Sequence, residues 1–182
     1  MKQDFSKTKH FDTEEEAMIA FLNMGKFQKL HNHLKEAFIG LLNITKTYKE
    51  DNSEYKLLTR SCLIELFGLI EADIFYYDVL DKHPDPKRKI DFFKKISLTF
   101  NQIGKTWGKE KIIQSYFSTQ LELLKKLRKK RNAHVHPKVI DDLFEPTKED
   151  LEDITVCFEQ YDLFINNIMN NFFIGYKINL FK

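Results

Sequence analysis

The chain has 182 residues, 42% of them hydrophobic and 31% charged. That composition excludes a disordered chain and fits a single domain, residues 1–182, long enough to bury a core. A formal net charge of +2 carries no global signal for nucleic acid, so any such case rests on where the charges lie.

Six glycines and four prolines are few turn formers for this length, which favours a few long helices over many short strands. Short flexible ends are expected at about residues 1–12 and 176–182. Met1-Lys2-Gln3-Asp4 leads into a polar stretch without the apolar core of a secretory signal. No apolar run approaches the roughly 18 residues that span a bilayer. Leu63 to Leu80 comes closest, but Glu65, Glu71, Asp73 and Asp78 interrupt it. The expectation is a cytoplasmic protein with no membrane partner. Cys62 and Cys157 each lie in an apolar helical pattern without CxxC spacing, and read as small buried hydrophobes.

Asp12-Thr13 before Glu14-Glu15-Glu16 reads as a helix start, with a cap oxygen and acids at the positive end of the dipole. Ala17, Phe21, Met24, Phe27, Leu30, Leu34, Ala37, Leu41 and Ile44 then recur at helical spacing. They predict one long helix, or two joined near Gly25, over about 13 to 50. Asp51-Asn52-Ser53 is a turn. A second helix, about 54 to 82, carries Leu57, Leu58, Ile64, Phe67, Gly68, Ala72, Phe75 and Val79 over a wide face and should be central. His83-Pro84-Asp85-Pro86 ends it.

A third helix, about 87 to 105, presents Ile90, Phe93, Ile96, Phe100 and Ile103, and should break between Gly104 and Gly108. A fourth starts near Glu110, carries Ile113, Phe117, Leu121, Leu124 and Leu127, and ends at Pro137. Residues 138–146 form a loop. Thr147 with Asp150 resembles a capping box in which Asp replaces Glu or Gln. The last helix runs to about Phe173, with Gly175 as its stop. The fold class is all-α, an up-and-down bundle of about five helices.

From Leu123 to Ile140 there is no acidic residue, while Lys125, Lys126, Arg128, Lys129, Lys130, Arg131 and Lys138 accompany His134 and His136. Such a run is often a solvated helix face. Here it lies at a helix end and leads into a His-rich turn, a pairing suited to binding and acting on a phosphodiester. Lys126, Arg128, Lys129, Lys130 and Lys138 are the candidate RNA-binding cations.

On an ideal helix Arg131 and His136 point roughly 140° apart. Pro137 biases His136 out of the helical region, so the helix should end near Val135 and free His136 to approach Arg131. Asn132, four residues earlier, is placed to orient that ring. His134, three residues after Arg131, shares its face without distortion and is the rival imidazole. The neighbouring cations favour neutral imidazole.

Arg131-Asn132-Ala133-His134-Val135-His136 resembles the RNxxxH form of the RX4-6H motif of HEPN domains. The preceding run Leu124 to Lys130 and the acidic helix Leu63 to Ala72 also resemble that family. The resemblance implies a helical bundle over the whole chain, and a metal-independent endoribonuclease without cofactor. It implies RNA as substrate, a homodimer with two motifs facing one cleft, and a role as a toxin or phage-defence effector with an antitoxin protein as partner. Arg131 would stabilise phosphate charge, His136 would act as acid or base at the ribose 2′-hydroxyl, and Asn132 would support them. Glu65 and Glu71 are candidate acidic partners, although carboxylates on a bundle helix more often pair with a neighbouring Lys or Arg. Position 138 is lysine, so the tyrosine of the RX4HXY subtype modified by a nucleotidyltransferase is missing. A non-catalytic module binding RNA, nucleotide or protein is the alternative.

A metal site on His31-x-His33 and His134-x-His136 is disfavoured. Residues two apart on a helix point to opposite sides, and no HExxH or CxxC accompanies them. The 17 Phe and 7 Tyr fall mostly at core spacing and do not read as a base-stacking platform.

Overall fold

A computed structural model describes residues 9–80, 91–137, 139, 144–169 and 174–176. Its elements are β1 (Lys9–Phe11), α1 (Glu14–Thr45), α2 (Ser53–Leu80), α3 (Phe92–Trp107), α4 (Glu110–Val135), α5 (Lys148–Met169) and β2 (Ile174–Tyr176). Each helix packs against the next in the chain, and α2 packs against all four others. The architecture is therefore the expected all-α bundle, with α2 at its centre. No helix among the described residues is long and apolar enough to cross a membrane.

The helix starts follow local chemistry. Thr13 caps α1 by accepting from the Glu16 N–H at 3.2 Å, and Glu16 reaches back to the Asp12 N–H. Asp91 caps α3 by accepting from the Phe93 and Lys94 N–H groups. Thr147 and Asp150 form the reciprocal box expected from sequence. The Thr147 N–H donates to Asp150 Oδ2 at 2.9 Å and the Asp150 N–H to Thr147 Oγ1 at 3.3 Å. Glu50 adds a partner for the Lys148 N–H at 2.9 Å, so the α1–α2 turn helps to cap α5.

Several boundaries differ from expectation. Helix α1 runs unbroken through Gly25 and stops at Thr45, where tighter i→i+3 bonds from Thr47 to Ile44 and from Tyr48 to Thr45 replace the helical ladder. Helix α3 continues through Gly104 and stops at Gly108, whose φ of 66° is the left-handed cap that glycine adopts without penalty. Gly104 stays helical because it allows close contact: a Cβ there would lie 2.8 Å from Ile113 Cδ1. Gly175 lies in a strand rather than at a helix stop, since Lys9–Phe11 and Ile174–Tyr176 pair in parallel. The proposed breaker His83 to Pro86 and the ends at 82, 87 and 173 lie outside the described residues.

The core stripes are also re-registered. In α1 the buried positions are Ala17, Ala20, Phe27, His31, Phe38, Leu42 and Thr45, while Phe21 is 64% exposed and Ile44 53%. In α2 the core uses Cys62, Leu63, Leu66, Phe67, Leu69, Ile70 and Ile74, and Leu57 and Phe75 are each 59% exposed. Both helices carry more apolar residues than one face needs, so periodicity alone leaves the buried face open.

Candidate functional site

Helix α4 ends at Val135, as expected from Pro137. His136 follows with φ −134° and ψ 57°, outside the helical region, and is exposed. Its N–H donates to the Asn132 carbonyl at 2.9 Å, the last bond of the helix. Asn132 therefore holds His136 through backbone, not by orienting its ring. The Asn132 side-chain oxygen instead accepts from Arg131 Nη1 at 3.4 Å. No hydrogen bond joins His136 to Arg131 among the described residues.

Arg131 and His134 share a face of α4 and are both partly buried. Arg131 Nε and His134 Nδ1 are buried and have no hydrogen-bond partner among the described residues. A buried polar atom without a partner is costly, here as at the Tyr116 hydroxyl in the core. Burial first, and the charge of Arg60 on α2 second, hold the His134 imidazole below its ordinary value of 6.5. Neutral imidazole is the form a general base requires.

The basic run is less available than its sequence suggests. Lys125 pairs with Glu122 at 2.8 Å. Lys126 pairs with Asp153 at 2.7 Å and Glu149 at 3.3 Å. Arg128 pairs with Glu71 at 2.7 Å and stacks over the Phe92 ring at 4.3 Å. Lys130 pairs with Asp150 and lies over the Phe144 ring. These acids come from α4 itself, α2 and α5, so the local imbalance is largely cancelled in three dimensions. Lys129 is exposed with no ion-pair partner among the described residues, and Lys138 lies outside them. Of the two glutamates, Glu71 takes the structural role with Arg128, and Glu65 is exposed.

Sequence reasoning missed Arg60. Its Nε donates to the Phe144 carbonyl at 2.9 Å and its Nη2 to Glu145 Oε1 at 2.5 Å, and Lys56 also reaches Glu145 at 3.2 Å. No short motif signals it, because its partners lie more than eighty residues away. Also missed was an ionic cluster in which His31 and Asp73 are buried and Asp162 and Lys35 partly so. The His31 ring bridges the two carboxylates through different nitrogens, so the cluster does not converge on one point. Among the described residues no group of three or more His, Cys, Asp or Glu side chains is placed to hold a metal ion.

A pocket of about 460 Å³ opens between the α1–α2 turn and α5, walled by Tyr48, Tyr55, Leu151 and Val156. It is built from other residues than the α4 motif. No protein-family model matches the chain, and neither curated proteins nor solved structures yield a match.

Proposed function

We propose that this chain is a HEPN-type helical domain acting as a metal-independent endoribonuclease, with its site at the C-terminal end of α4. The observation that carries the reading is the α4 terminus, where a helix ending at Val135 presents Arg131 and His134 with orphaned buried nitrogens beside the freed His136. In the reaction, a neutral imidazole takes the proton of a ribose 2′-hydroxyl. The resulting oxygen attacks the adjacent phosphorus, the 5′-oxygen leaves and takes a proton from water, the imidazolium returns its proton to solvent, and a 2′,3′-cyclic phosphate remains. Arg131 stabilises the charge that builds on the phosphoryl oxygens. RNA is the substrate because DNA lacks the 2′-hydroxyl. A homodimer that places two motifs on one cleft, a toxin or defence role, and an antitoxin partner belong to the same proposal.

One observation favours a second reading. Lys126, Arg128 and Lys130 are tied to acids, which suits a module that binds a partner without cleaving. Incubation of purified protein with single-stranded RNA in EDTA separates the two. The nuclease reading expects cleavage to a cyclic phosphate. Arg131→Ala should slow it about 10²- to 10³-fold, and the double variant His134→Ala/His136→Ala at least as much. Equal cleavage by wild type and both variants, or none by wild type, overturns it. Salt-dependent RNA binding without cleavage supports the second reading.

A further inference from the structure

We infer that the groove between α3 and α4 is the track along which single-stranded RNA reaches the α4 terminus, with bases on the Phe93 and Phe117 rings and a phosphate on Lys125. Its substrate rests on the ribonuclease reading; the groove stands on the packing of the two helices.

Helix α3 runs back along α4. Phe92 at its start lies under Arg128, with the guanidinium 4.3 Å from the ring centroid. The Phe100 and Phe117 rings follow at 6.2 Å, and Gly104 lies against Ile113 near the start of α4. A groove of about 420 Å³ opens between the helices, within the range of about 300–1,000 Å³ at which clefts hold small organic groups. Buried Ile96 and Ile113 line it from the core, and the half-buried Phe93, Phe117 and Leu121 line it further out.

Its one charge is positive. Among the described residues that line it, Lys125 is the only charged side chain and there is no carboxylate. Glu122 pairs with Lys125 at 2.8 Å, but both are exposed, and a weak surface pair of this kind yields to a phosphate. Asn101 Nδ2 donates to Ser97 Oγ at 3.2 Å, which leaves the amide oxygen. The exposed Gln114 amide makes no hydrogen bond among the described residues. Rings and amides side by side suit a base, whose face stacks and whose edge takes hydrogen bonds. An amphipathic helix in the same groove would strip water from those amides and the ammonium without replacing it.

The groove also leads to the site. Residues 114, 117, 121, 125, 128 and 132 advance by three or four and run down one stripe of α4. The stripe passes from the groove through Arg128 to Asn132, next to Arg131. From Lys125 to Asn132 is two turns, about 10 Å along the axis, a short stretch of strand. Lys129, one turn beyond Lys125 and exposed, is the next cation on the way.

The test measures binding of a fluorescein-labelled 2′-O-methyl oligouridylate, a strand that cannot be cut, to the intact protein by anisotropy. Wild type should bind it and lose affinity as salt rises. Phe93→Leu and Phe117→Leu keep apolar bulk and remove the ring, and each should weaken binding at least about fivefold. Lys125→Gln should flatten the slope of log affinity against log salt by about 0.7. In the cleavage assay the three variants should raise KM far more than they lower kcat, whereas Arg131→Ala should lower kcat. If Phe117→Leu does not fold, Phe93→Leu and Lys125→Gln decide alone. Wild-type binding that none of these variants alters overturns the groove assignment, leaves the RNA reading standing and hands the groove to a protein partner. Absence of strand binding by wild type at low salt overturns it as well, and cleavage in EDTA then judges the ribonuclease reading by itself.

Discussion

His31 and Asp73, forty-two residues apart, meet in a fully buried pair at 2.8 Å. The other ring nitrogen of His31 lies 3.1 Å from Asp162, which Lys35 also contacts at 2.6 Å. A carboxylate accepts and does not donate, so both imidazole nitrogens carry protons and the ring is an imidazolium. Two cations and two anions then balance, and α1, α2 and α5 are joined through one side chain. Removing one partner leaves a buried charge, so Asp73→Ala or His31→Ala should cost about 3–5 kcal/mol. Urea unfolding monitored by circular dichroism checks this; a cost under about 1 kcal/mol would show that the cluster is not an ion pair.

The same cluster sets a pH dependence. Burial lowers the affinity of His31 for its proton, but the hydrogen bonds and charges of Asp73 and Asp162 outweigh it and raise the group above 6.5. A raised folded-state value gives stability that is complete below pH 6.5 and is lost as pH rises through the folded value. Burial also pushes Asp73 up, against the pull of His31 and the Tyr161 hydroxyl, so it contributes with the same sign, its part being complete below pH 3.8 and lost as pH rises through its own folded value. Unfolding free energy should fall as pH rises above 6.5 in wild type and stay flatter in His31→Gln. Parallel curves would assign the slope elsewhere.

The cap of α5 offers a smaller and local test. Thr147→Ala removes the oxygen that the Asp150 N–H donates to, and should cost about 1 kcal/mol. Asp150→Ala should cost more, because Asp150 is buried and also holds Lys130. Thermal melts of the two variants should rank in that order.

Arg128 was expected to bind RNA, but it is packed between Phe92 and Phe67 and paired with Glu71. Arg128→Ala should therefore lower stability by about 1 kcal/mol. Under conditions where both proteins are folded, its effect on the salt slope of RNA binding should be smaller than that of Lys129→Ala. The opposite ranking would place Arg128 in the interface.

The two thiols should be inert. Burial raises Cys62 and pushes Cys157 up to about 12, so neither supplies thiolate near neutral pH. A disulfide reagent at pH 8 should label the folded protein slowly and both cysteines rapidly in urea. Fast labelling of folded protein would show that one thiol is reachable.

Read alone, the sequence determined what local chemistry determines. Helix starts at Thr13 and Thr147, and the end of α4 at Val135, depend on residues within four positions of each other, and hydrogen bonds across one turn decide them. The central place of α2 also follows from its apolar breadth. Only the tertiary structure decided which face of α1 and α2 is buried, because both carry apolar residues on more than one side and neighbouring helices choose among them. That choice carried His31 inside to meet Asp73 and Asp162, a pairing no spacing encodes. It cancelled much of the charge of the run from Lys125 to Lys130 with acids from α2 and α5. It also fixed Arg60, since a guanidinium held by a carbonyl eighty-four residues away finds its place only when the helices pack.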